Sequence, residues 1–290
     1  MVFMGRLRML LTDIDRFYIF FIKIINNRVG LSRKQSQLGW KMREPGELAA
    51  VSEDLERVST EERLEWAWGS LGPRVAFGTA FGATGLVLLD IVQRSTPEIP
   101  VFTIDTGYMF DETRDLKERV ETKYGIDIEV LHPEHSVEEQ DRIHDKDLYS
   151  RNPDLCCAMR KVSPLRRKLS GLDGWVSSIR RDQSETRKET RIADGYWFDS
   201  GHRVVKVSPM ADWTKKEVWD YMLGNDIPYN PLLDQGYASI GCWPCTLAVG
   251  PDADERDGRW AGHQKTECGI HTPLLTMEQP EIHTLAEDKA

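Results

Sequence analysis

The chain has 290 residues, 40% apolar and 29% charged, with a formal net charge of −9. That length can bury a sizeable core in one large domain or two smaller ones. The acidic total argues against a dedicated nucleic-acid binder, which needs a basic face to displace phosphate counterions.

Residues 1–41 are basic and carry one apolar run at 17–22, which Lys23 interrupts. This is far short of the about 18 apolar residues of a membrane span. Asp13 and Asp15 precede the run and no small-residue cleavage site follows it, which does not fit a secretory signal. The expectation is a leader, a disordered extension or a mis-assigned start at 1–41, with the working protein beginning near Met42 and no membrane partner.

After the leader, helix and strand patterns alternate. Ser59-Thr60-Glu61-Glu62 is a capping box opening a helix with Leu64, Trp66, Ala67 and Trp68. Strands are expected at 74–79, 101–105, 126–131 and 175–179, and helices at 83–93 and 111–124, the latter stopped by Gly125. Thr214-Lys215-Lys216-Glu217 is a second capping box, for a helix running to Leu223. Strands separated by helices require crossover connections, so the fold class expected is α/β, with a mainly parallel sheet flanked by helices.

In such sheets ligands bind beyond the carboxyl ends of the strands. The loop after the first expected strand, from Gly78 through Gly82 to Gly85, can turn backbone N–H groups and a helix dipole towards an anion. It is neither a Walker A loop nor G-x-G-x-x-G, and a plain strand-to-helix turn is the simpler reading. Asp105-Thr106-Gly107 follows the second strand and Arg180-Arg181-Asp182-Gln183-Ser184-Glu185-Thr186-Arg187 the fourth. Between Arg160 and Arg191 ten basic residues stand against four acids. A basic island in an acidic chain points to a small anionic ligand gripped by guanidinium groups, against the alternative of a solvated helix face.

Five cysteines divide into Cys156-Cys157, a C-x-x-C pair at Cys242 and Cys245, and a lone Cys268. Four thiolates suit zinc or an iron-sulfur cluster, and adjacent cysteines are unusual for structural zinc; spacing alone leaves both open. Cys268 remains as a candidate nucleophile or redox residue.

The ordered set Cys156-Cys157, Arg180-Arg181-Asp182-Gln183-Ser184-x-Thr186-Arg187, Cys242-x-x-Cys245, Glu255-Arg256-x-Gly258-Arg259-Trp260 and Lys265-Thr266-Glu267-Cys268-Gly269-Ile270-His271 resembles the assimilatory sulfonucleotide reductases. It is most similar to their cluster-containing adenylyl-sulfate reductases, over about residues 74–271, including Ile227-Pro228-Tyr229-Asn230-Pro231. The resemblance implies an adenine-nucleotide alpha-hydrolase-like (Rossmann-like) fold. It implies reduction of adenosine 5'-phosphosulfate to sulfite and AMP, with thioredoxin as reductant, in cytoplasmic sulfate assimilation towards cysteine. Cys268 would be the nucleophile, forming an enzyme S-sulfocysteine. Lys161, Arg180, Arg181, Arg187, Arg256 and Arg259 would bind the phosphosulfate. Gly82, Asp105, Thr106 and Gly107 would complete the substrate site, and Cys156, Cys157, Cys242 and Cys245 would hold a 4Fe-4S cluster.

The implied organisation is a sulfonucleotide-binding domain at 42–250 and a mobile segment at 251–290 carrying Cys268, with room for a homo-oligomer. The first loop departs from the family pattern: serine is common at the position of Ala80, and an acidic pair where Thr84-Gly85 stands. Phosphoadenylyl-sulfate reduction is the nearer alternative. An ATP pyrophosphatase is more remote because Ser-Gly-Gly-x-Asp-Ser is absent. A non-enzymatic cluster sensor would have no use for the Glu-Cys-Gly-Ile-His segment.

Overall fold

The computed structural model describes residues 45–198, 202–250 and 253–271. The leader expected at 1–41 and the chain beyond 271 lie outside them. Among the described residues no helix is long and apolar enough to cross a membrane.

Two helices, α1 (Pro45–Leu55) and α2 (Thr60–Leu71), lead into the alternating part of the chain. The Ser59 box forms as expected: Ser59 Oγ accepts the N–H of Glu62, and a Glu62 carboxylate oxygen accepts the N–H of Ser59. Then come β1 (Val75–Gly78), α3 (Ala83–Ser95), β2 (Val101–Ile104), α4 (Asp111–Tyr124) and β3 (Glu129–Leu131). Gly125 ends α4 in the left-handed conformation, at φ 65°.

A run of short helices follows that the sequence pattern did not reveal: α5 (Val137–His144), α6 (Leu148–Arg151), α7 (Pro153–Cys157), a π turn (Ala158–Val162) and α8 (Ser163–Leu169). The chain closes the sheet with β4 (Gly174–Val176), β5 (Ala193–Trp197) and β6 (Arg203–Val207), and adds α9 (Lys215–Gly224) behind the second capping box.

The six strands are ordered β3-β2-β1-β4-β6-β5. Pairings from β3 through β6 are parallel, as expected; only β5 runs antiparallel, with Ala193 opposite Val207 and Trp197 opposite Arg203. The β5–β6 pair is the part of the sheet absent from the sequence reading. Central strands are buried, with Val75, Ala76, Phe77 and Val176 all at 0% exposure, as expected for a sheet covered on both faces. One face packs Leu64, Leu86, Leu89, Val92 and Met222 from α2, α3 and α9. The other packs Leu165 and Leu169 of α8 against Phe102, Trp175 and Tyr196.

Polar clamps fix the helices. Asp90, 2% exposed, accepts hydrogen bonds from Tyr124 and Tyr221, both 2.9 Å, and so ties α3 to α4 and α9. Its neighbourhood pushes the Tyr221 hydroxyl up to about 12, through burial first and the Asp90 bond second.

Candidate active site

The strand order reverses between β1 and β4, since the sheet grows from β1 through β2 and β3 on one side and through β4 and β6 on the other, and a cavity of about 260 Å³ opens at the carboxyl edge there. The β1–α3 loop forms its floor. Thr79 Oγ1 accepts the N–H of Phe81 at 3.1 Å, and Phe81, buried, takes the left-handed φ of 57°. Such a backbone costs a non-glycine residue about 1–2 kcal/mol. A Cβ on Gly85 would sit 2.7 Å from Thr79 Oγ1, so only glycine lets α3 start this close to the loop.

Of the predicted residues, Gly82, Thr106, Lys161, Arg180, Arg187, Arg256, Arg259 and Cys268 line this one cavity. Residues from the β1 loop, the π turn, the loop after β4 and the C-terminal segment therefore converge. Three predicted contacts lie elsewhere. Arg181 does not line the cavity: its Nε donates to the Thr190 carbonyl at 2.8 Å and its guanidinium pairs with Glu56. Asp105 accepts the Gly107 N–H at 2.8 Å and faces Arg114, serving the turn. Gly107, at φ 74°, lets Arg160 pass, because a Cβ there would lie 3.0 Å from Arg160 Nη2.

Arg180 is 2% exposed and held on three sides: Nε to Asp182 at 2.8 Å, Nη2 to Glu255 at 2.7 Å, and Nη1 to Thr84. Its role is thus to join the β4 loop, α3 and the segment bearing Arg256. Glu255 and Gln183 were missed as site residues. Their signal was their place inside the two arginine motifs. The indole of Trp260 is 2% exposed and ringed by three cations, with Arg259 at 4.8 Å, Lys265 at 5.5 Å and Arg256 at 5.6 Å from its centroid. Cation–π attraction lets like charges crowd there. The backbone N–H of Trp260 donates to the Cys245 carbonyl at 2.9 Å, joining the arginine motif to the C-x-x-C turn. His271 stacks on Trp175 at 5.3 Å with rings 1° from parallel. Burial, then Lys206, Arg187 and Arg256, hold its imidazole well below the ordinary range, so it is neutral.

Cys156, Cys157, Cys242 and Cys245 line a second, small cavity beside the first, with Tyr108 and Arg160. Among the described residues Lys161 alone lines both. Burial and the neighbouring thiols push Cys156 up to about 12. Burial raises Cys157 to about 11 despite Lys161. Cys242 goes the other way: burial opposes its ionisation, but the Lys161 charge and the Thr106 hydroxyl, 3.3 Å from its sulfur, bring it below its usual value. Burial likewise opposes the Lys161 charge, and Cys242, Cys157 and Cys268 overcome it, so this lysine is held firmly as a cation.

Among the described residues no three His, Cys, Asp or Glu side chains stand at the spacing of a single-ion site. All five cysteines are free thiols. Four soft donors around one enclosed space, with two cations to offset their charge, are chemically suited to an iron-sulfur group.

This arrangement defines an α/β enzyme of the adenine-nucleotide alpha-hydrolase-like fold, with a cation-lined cavity at the sheet's carboxyl edge. Residues 74–248 match the phosphoadenosine phosphosulfate reductase domain. Adenosine 5'-phosphosulfate reductase 2 of Bacillus subtilis is 43% identical over 209 residues, covering 72% of this chain and 87% of that protein. Adenosine 5'-phosphosulfate reductase of Salinibacter ruber is 40% identical over 226 residues, covering 78% and 88%. The structure of phosphoadenylyl-sulfate reductase from Candida auris, in a phosphate complex, superposes with a TM-score of 0.61 at 31% identity, covering 71% of this chain and 98% of that one. The chain belongs to the phosphoadenosine phosphosulfate reductase family, oxidoreductases acting on a sulfur group.

Proposed function

We propose that the chain reduces adenosine 5'-phosphosulfate to sulfite and AMP, with reduced thioredoxin as donor, in cytoplasmic sulfate assimilation towards cysteine. The observation that carries the reading is that Lys161, Arg187, Arg256 and Arg259 line the same cavity as Cys268. Two anions repel; four cations around the ligand's phosphosulfate let a thiolate approach it. The adenosine 5'-phosphosulfate reductase relatives supply the substrate.

Cys268 Sγ attacks the sulfur of the sulfo group. The bond between that sulfur and the bridging oxygen breaks, its electron pair leaves with AMP, and S-sulfocysteine forms. A thioredoxin thiolate then attacks Cys268 Sγ, and the electron pair of the cleaved S–S bond leaves with sulfite. The second thioredoxin thiol resolves the mixed disulfide, restoring Cys268 and oxidising thioredoxin. Lys161, Arg256 and Arg259 hold oxyanion charge throughout, while Trp260 and Arg180 keep the arginine-bearing segment in place. Cys156, Cys157, Cys242 and Cys245 would hold a 4Fe-4S cluster, whose contribution when bound is to organise and electrostatically tune the site beside Lys161.

The test uses the full chain purified without oxygen. Iron and sulfide are quantified, and sulfite release is compared for adenosine 5'-phosphosulfate and its 3'-phosphorylated form with reduced thioredoxin. Iron-loaded protein preferring the unphosphorylated form is the expected result. Preference for the 3'-phosphorylated form would instead support the reading drawn from the Candida auris likeness, and iron-free active protein would remove the cluster.

A further inference from the structure

The carboxylate of Glu267, the residue before Cys268, is a ligand of the cavity's own arginines. Arg187 Nε donates to Oε1 at 2.8 Å and Arg187 Nη2 to Oε2 at 3.0 Å, a fork-on-carboxylate pair. Arg256 Nη2 reaches Oε2 at 3.1 Å and Thr186 Oγ1 reaches Oε1 at 3.2 Å. The three charged side chains are 11–19% exposed, so this is a well-shielded site and not a surface pair. Burial opposes ionisation of Glu267, and the Arg187 bond and charge followed by the Arg256 charge overcome it, so the group is an anion.

The two ends of this segment are tied differently. Upstream of Cys268 the ties are ionic: the Glu267 carboxylate, and Arg256 donating to the Thr266 carbonyl at 2.8 Å. Downstream they are packing contacts. Ile270 joins the Phe102–Trp175–Tyr196 cluster, its carbonyl accepts the Tyr196 hydroxyl at 3.3 Å, and His271 stacks on Trp175. An incoming oxyanion can replace a carboxylate on a guanidinium fork, because both present two acceptors in the same plane. It cannot replace an apolar anchor.

We propose that Glu267 is an internal counter-anion of the site, a positioning residue that parks Cys268 and is exchanged for the oxyanion of an arriving ligand, while Ile270 and His271 hold the far end as a pivot. Anion binding and release of the nucleophile are then one event, since the same arginines cannot hold both carboxylate and ligand. In using Cys268 as the nucleophile this rests on the proposed function, but the exchange itself is readable without turnover.

The experiment alkylates the full chain with iodoacetamide and follows Cys268 by peptide mass, with inorganic sulfate or with chloride at equal ionic strength. In the wild type, sulfate should speed labelling of Cys268 about fivefold, the low end of ordinary site-to-site coupling. Glu267→Gln should label at the fast rate with or without sulfate, and should bind AMP more tightly, having lost the competing carboxylate. Glu267→Asp, which keeps the charge, should retain sulfate-dependent labelling. Sulfate that protects Cys268 or leaves wild-type labelling unchanged overturns the proposal. So does Glu267→Gln labelling as slowly as wild type. A chain that shows the sulfate response but releases no sulfite from either sulfonucleotide would defeat the proposed function and leave the exchange standing.

Discussion

A buried arginine behind the sheet and two half-buried ones at the cavity behave in opposite ways. Behind the sheet, Arg63 is 2% exposed and uses every donor: Nε to the Leu55 carbonyl at 2.8 Å, Nη1 to the Pro209 carbonyl at 2.8 Å and to Asp212 at 2.6 Å, Nη2 to Asp212 at 2.7 Å and to the Glu56 carbonyl at 3.3 Å. At the cavity, Arg256 and Arg259 crowd one indole, and the Nε of each is buried without a partner among the described residues. A fold that leaves buried guanidinium donors unused gives up stability at that point. Arg63 has no donor left for a ligand, whereas Arg256 and Arg259 line the cavity and keep an Nε that the fold leaves unpaired.

The comparison can be broken in several ways. The largest effect belongs to neither arginine: Cys268→Ser should keep the fold and lose sulfite release altogether, and measurable turnover by this variant would remove the nucleophile around which the cavity cations are assigned. Arg63→Ala should cost about 3–5 kcal/mol of folding stability, as for breaking a buried pair from one side. A urea titration reads this, and a change under about 1 kcal/mol would mean the clamp is not structural. Arg259→Ala should show the mirror image, with turnover down about 100-fold and the urea midpoint unchanged or raised, since one of three crowded cations is gone. A fall in stability matching that of Arg63→Ala would erase the distinction.

The smallest effect is on acid stability. Burial raises the Asp212 carboxyl, but the Arg63 hydrogen bond and charge outweigh it and hold the group below its usual range. A depressed folded value contributes stability that is complete above the unfolded value near about 4 and is lost as pH falls through the folded one. Asp212→Asn should therefore flatten the stability–pH curve below about pH 4, and an unchanged acid branch would show that Arg63 draws nothing from its carboxylate partner.

The sequence made the α/β alternation readable wherever periodicity and caps agreed, as at Ser59 and Thr214, whose boxes form with both reciprocal bonds. It hid the stretch 137–169, where Asn152-Pro153 breaks a polar region into helices too short to show a period. The edge strand β5 escaped for a similar reason, because Asp194-Gly195 interrupts any alternation. Among site residues, the long motifs led to the cations and cysteines but could not separate Arg180 from Arg181. Those neighbours differ only through the 3₁₀ turn at Arg181–Gln183, which leaves one in the cavity and sends the other to Glu56. Glu267 was visible merely as part of a motif, since its partners Arg187 and Arg256 lie 80 and 11 residues away along the chain.

The π turn at Ala158–Val162 sits between the cysteine pair and α8. Pro164 explains it: with no N–H, it cannot bond the Arg160 carbonyl four residues back, and the Ser163 N–H reaches Ala158 instead, five back. The widened turn accommodates one residue more than an α-helix would use. Removing one residue between Cys157 and Ser163 would let this stretch close as ordinary α-helix, with the following helix still in phase and Leu165 still on the sheet, but with the lysine shifted relative to the thiols. Length is constrained here as well as the identity of Lys161: a single-residue deletion in this turn should leave the urea midpoint near that of the parent chain and abolish sulfite release.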